Sequence, residues 1–141
     1  MPVDVHQHLW PEPFLAALRA RRTAPRLDGW VLHLPGERPY PIDPDDHDPD
    51  RRAELAAADG DEVVLVAPSA ALGLDRLPAT EAAELAEAWL ESALSLPAPF
   101  NAWAMTPTTE PDPHALQDAL DRGAIGLELA ADLLAAPRGL D

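Results

Sequence analysis

Four short apolar runs punctuate this chain: Pro2–Val5, Glu62–Ala67, Phe100–Met105 and Ile125–Ala130. Helix-forming stretches separate them. When helices alternate with strands, the chain crosses back over the sheet before laying down each new strand, so the strands run parallel. Such crossovers are right-handed. The run Glu62-Val63-Val64-Leu65-Val66-Ala67 is apolar almost throughout. That suits a parallel strand buried on both faces rather than a half-exposed one. The rhythm therefore predicts an α/β fold, and 141 residues are enough for a single domain with a real core.

The helices carry their own boundary signals. The first spans Glu12 to Arg22, with Pro13 in its opening turn, Phe14, Leu15 and Leu18 as an apolar stripe, and arginines at its end. Those arginines read as a solvated helix end rather than an anion site. A second helix, Arg51 to Ala58, is expected to be capped by Asp48 or Asp50 and stopped by Gly60. Thr80 is expected to cap a third, Glu81 to Leu96, whose inner face holds Leu85, Trp89 and Leu96. Asp112-Pro113 opens a fourth that closes at Arg122-Gly123, with His114 as a surface residue in its first turn.

Residues 28–47 break the rhythm. Trp30–Leu34, a Pro35-Gly36 turn and Arg38–Ile42 read as a small β-hairpin inserted after strand 1. Prolines in the second arm make it an edge strand. Trp30 or Tyr40 could stack on a substrate from this hairpin, or pack it onto the body of the fold. The acidic run Asp43–Asp50 lacks the glycine and terminal glutamate of a calcium-binding EF-hand loop. It reads as a polar turn, with His47 inside it a minor candidate for ligand or substrate contact.

The charge balance narrows the partners. The formal net charge is −15, and all ten basic residues are arginine. A chain this acidic is not built for nucleic acid or anionic membrane surfaces. Without lysine it has no Schiff-base, phosphate-loop or carbamylated lysine. Without cysteine it has no disulfide, thiolate nucleophile or cysteine-zinc site. No stretch resembles a signal peptide or a membrane span, so the expected location is cytoplasmic.

The chemistry-bearing signal is Asp4-Val5-His6-Gln7-His8-Leu9-Trp10-Pro11. His6 and His8 are two apart at the end of the first strand, where residues i and i+2 face the same way. Two neutral imidazoles side by side can share one metal ion. Asp4 has the same parity but lies deeper along the strand, as a second-layer partner at most.

The pattern Asp-x-His-x-His-x-x-Pro so near the start of a chain resembles the first strand of the amidohydrolase superfamily. The nearer likeness is its amidohydrolase-related, aminocarboxymuconate-semialdehyde decarboxylase-like branch. The resemblance implies a partial (β/α)8 TIM barrel of about the first four strands. It also implies that His6 and His8 are two ligands of a divalent metal, in that family usually zinc, at the barrel mouth. The family's remaining ligands, histidines of strands five and six and an aspartate of strand eight, would fall beyond Asp141. A full barrel takes about 250 residues. The implied reading is the N-terminal half of a metal-dependent hydrolase or decarboxylase acting on a small molecule. It would be inactive alone unless a complementary C-terminal half supplied the rest. Two alternatives remain: a half-barrel that works by self-association or with a partner chain, and a phosphoesterase with a similar first strand. The phosphoesterases usually follow that strand with a Ser/Thr-rich turn, and Leu9–Pro13 is not one.

Overall fold

The computed structural model describes residues 1–106 and 112–129. Strand β1 (Val3–Gln7) leads into helix α1 (Glu12–Ala20). Three short strands follow: β2 (Arg26–Asp28), β3 (Val31–His33) and β4 (Tyr40–Pro41). A short 3-10 turn, Pro44–His47, precedes α2 (Pro49–Asp59) and β5 (Val63–Val66), and two more, Ala70–Leu72 and Leu74–Arg76, follow β5. Next come α3 (Ala79–Leu94), β6 (Phe100–Ala102), β7 (Ala104–Met105), α4 (Pro113–Asp121) and β8 (Leu127–Glu128).

The α/β expectation holds. Strands β1, β5 and β6 form a parallel sheet in that order. β7 continues the line of β6 past Trp103 and pairs in parallel with β8. The Ile125 amide donates to Ala102 O (3.0 Å) and the Ala104 amide to Gly126 O (2.8 Å), so the fourth apolar run lies beside the third. Chain order and spatial order coincide. The described residues form no closed barrel.

The core lies on one side of this sheet. Val64 and Val66 pair with Phe100 and Ala102, and all four are buried against the helices. Phe14 of α1 meets Trp89 of α3 edge-on, with ring centroids 5.7 Å apart, and neither is solvent-accessible. Burying an aromatic side chain of this size contributes about 2–3 kcal/mol. The opposite side is different. Val3 and Val5 of β1 are 40% and 62% exposed. Parallel sheets ordinarily have cover on both faces.

Several boundaries depart from the expectations. The insertion is a three-stranded antiparallel meander, β2-β3-β4, rather than a hairpin. Its first strand, Arg-Leu-Asp, is too short and polar to announce itself in the sequence. Helix α2 starts at Pro49 with Asp48 as its cap, accepting from the amides of Asp50 and Arg51 (2.9 and 3.0 Å). Helix α3 starts at Ala79, so Thr80 lies inside it and does not cap it. Trp103 interrupts the third strand, and the described part of the fourth is the short β8, Leu127–Glu128, rather than a strand from Ile125. The end of that expected strand, Ala130, lies outside the described residues. No helix among the described residues is long and apolar enough to cross a membrane.

Candidate functional site

The site begins with an irregularity in β1. Asp4 lies opposite Val64, but Gln7, three residues on, lies opposite Val66, only two residues on. The extra residue is a β-bulge, which shifts side-chain parity downstream. Asp4 and Gln7 therefore share the helix-facing side with Val64 and Val66. There Gln7 Nε2 donates to Asp4 Oδ2 (2.6 Å), and Arg52 of α2 donates to Gln7 Oε1. Asp4 Oδ1 also accepts the His6 amide (3.0 Å). The expected common parity of Asp4 with the histidines is thus corrected: the bulge turns Asp4 away from them.

His6 and His8 flank Gln7 and point to the other side, the less covered one. Their ring centroids are 4.7 Å apart with the planes at 82°. His8 Nδ1 lies 3.0 Å from Ala67 O, just past the end of β5. A carbonyl can only accept, so Nδ1 carries the proton. In the neutral ring Nε2 then keeps its lone pair, the tautomer a metal-binding histidine needs.

Glu128 joins the pair from β8. Its Oε1 is 3.9 Å from His6 Nδ1. Neighbouring strands are about 4.8 Å apart, so a flat sheet would put β1 and β8 roughly 14 Å apart, with two strand positions between them. The sheet must curl for these side chains to approach. Burial pushes the Glu128 carboxyl above the usual carboxylate range, against the opposing pull of His6 and His8. Trp103 spans the same concave side: its indole N–H donates to Val5 O at the bulge (3.0 Å).

The meander reaches this end of β1 through His47. His47 Nδ1 accepts the Trp10 amide (3.1 Å), two residues beyond His8. Its ring is nearly parallel to Trp10 (4.6 Å, 14°) and to Trp30 (6.3 Å, 10°). The Arg19 guanidinium lies 5.0 Å from the Trp30 ring centroid. Burial lowers the His47 pKa to about 4; Arg52 and His8 push the same way and Asp46 opposes them. His47 is therefore a neutral Nε2–H tautomer at physiological pH.

Of the residues singled out from sequence, His6 and His8 come together. Trp30 is joined to their neighbourhood through His47, while Tyr40 is 41% exposed on β4 opposite Leu32. Helix α1 ends at Ala20 rather than Arg22; Arg19 in its last turn pairs with Glu12, and Arg21 just past its end pairs with Glu81. His114 is exposed on α4. Sequence reasoning passed over Glu128, Trp103 and the Gln7–Arg52 link. An available signal was parity: Gly126 and Glu128 share a strand face. Among the described residues, no group of three or more His, Cys, Asp or Glu is arranged to hold a metal ion. The chemistry of the two imidazoles fits two places in a metal's ligand set.

A separate cavity of about 430 Å³ lies between α3, α4 and β7, lined by Leu90, Met105, Leu116 and Leu127 among others. The Arg122–Glu87 ion pair contributes to its wall. It lies apart from the histidines and carries no comparable set of reactive groups. No protein-family model matches the chain, and no curated protein matches it.

Proposed function

We propose that this chain carries the first pair of metal ligands of an amidohydrolase-like, metal-dependent hydrolase or decarboxylase. Its sheet would be the opening part of a (β/α)8 barrel. The observation that carries the reading is the imidazole pair at the end of β1, with His8 fixed by Ala67 O in a metal-competent tautomer. The curl that brings Glu128 to His6 supports it, as does the exposure of Val3 and Val5 on the side of the sheet that the described helices do not cover, the side that would face the interior of a barrel.

His6 and His8 would hold the ion, a divalent metal such as zinc. A metal there would supply Lewis-acid chemistry: it polarises a bound carbonyl or makes water acidic enough to ionise near neutral pH. His8 is oriented by Ala67, and Glu128 places a half-buried carboxyl beside His6. A catalytic zinc normally has three protein ligands. Turnover therefore requires groups from another segment, a complementary chain or a second copy. The substrate would be a small molecule, since a chain of net charge −15 repels polyanions.

Metal content tests this directly. Equilibrium dialysis against zinc followed by elemental analysis should find zinc on the native chain. The His6→Ala/His8→Ala double variant should have lost it. Equal zinc on both proteins, or none on the native chain, would overturn the assignment.

A further inference from the structure

Trp103 is an unusual residue for its place. It stands between β6 and β7 on the side of the sheet that the described helices do not cover, and it belongs to no part of the helix-side core. Yet it is tied at both ends. Its indole N–H reaches across β5 to donate to β1, to the Val5 carbonyl at 3.0 Å. A bulge disturbs the strand ladder locally, and this donor anchors it at the residue before His6. Its six-membered ring lies against β8 at Gly126. A Cβ placed there would sit 2.5 Å from Cζ3 and 3.1 Å from Cε3, so no side chain fits without moving the ring. Gly126 is two residues before Glu128 and on the same strand face.

We propose that Trp103 is the positioning residue of the metal cup. It braces the β1 bulge against β8 and so sets how His6 and His8 present themselves to an ion, and how far they stand from Glu128. This inference rests on the metal reading above but adds a residue to it. Trp103 touches no ligand itself. It acts through the Val5 carbonyl on one side and the glycine floor on the other. Outer groups that orient metal ligands typically change metal affinity 10–100-fold when removed.

The test uses cobalt(II) as a spectroscopic stand-in for the ion, on the native chain and on two variants. Trp103→Phe keeps a ring but removes the N–H. Gly126→Ala keeps the indole and displaces it. Both should weaken cobalt binding by about tenfold or more and alter its visible absorption bands, with far-UV circular dichroism unchanged. Affinity within twofold of native and unchanged bands in both variants would overturn the brace while leaving the metal reading intact. If the native chain binds no cobalt, the metal reading fails, and the brace is judged by proton NMR alone. The cross-peaks between the His6 and His8 rings should then weaken in Trp103→Phe; cross-peaks as strong as native would overturn it.

Discussion

His47 makes the stability of this protein depend on pH in a calculable way. Its imidazole is stacked on Trp10, accepts the Trp10 amide, and has a pKa lowered to about 4 from an ordinary 6.5, chiefly by burial. The unfolded chain takes up a proton as pH falls through 6.5, and the folded chain does so only near 4. Between those values the unfolded state binds more protons, so acid favours unfolding. The contribution of His47 is complete above about 6.5 and is lost as pH falls to about 4. At ~1.4 kcal/mol per pKa unit the whole displacement would amount to ~3 kcal/mol. Solvent at the exposed edge of a half-buried ring screens part of this, leaving roughly 1–2 kcal/mol. His47→Gln retains an acceptor for Trp10 but cannot titrate. Urea unfolding of both proteins at pH 7.0, 5.5 and 4.5 isolates the effect, because the carboxylates common to both cancel in the difference. The native protein should lose roughly 1–2 kcal/mol more than the variant across that range. Parallel pH profiles for the two would refute the reasoning.

Two further outcomes follow from the packing. Phe14→Ala should cost about 3–5 kcal/mol in urea unfolding, because it opens a cavity where α1 meets Trp89 in a fully buried contact; a loss below about 1 kcal/mol would mean that the two helices are not held there. Gly60→Ala at the end of α2 should cost about 1 kcal/mol through backbone conformation alone, since φ is 82° and a methyl group there would meet nothing within 4 Å; an unchanged thermal midpoint would contradict that backbone geometry.

What could be read from the sequence was what depends on periodicity and on caps. The apolar run around Val64, the Asp48 cap and the Asp112-Pro113 helix start all appear where local chemistry demands them. The paired histidines were legible because their spacing is short enough for one strand to bring them together. What escaped depended on distance in sequence. Glu128 meets His6 only because a whole sheet curls, and no local pattern encodes curl. The orientation of Asp4 escaped because one inserted residue reverses parity. His47 was an isolated imidazole in an acidic turn until the meander folded it onto Trp10.

That last contact has a bearing on which stretches of residues 28–47 can vary in length. The tip from Pro35 to Pro39 is exposed, and residues could be added or removed there with little disturbance. The short arc from Asp43 to Asp48 is under a different constraint. It delivers a ring nitrogen to a main-chain amide two residues beyond His8 and then at once caps α2. Shortening that arc by a single residue would strip the Trp10 amide of its acceptor and uncap a helix together. Among descendants of this sequence, the tip should drift freely in size while the arc keeps its count.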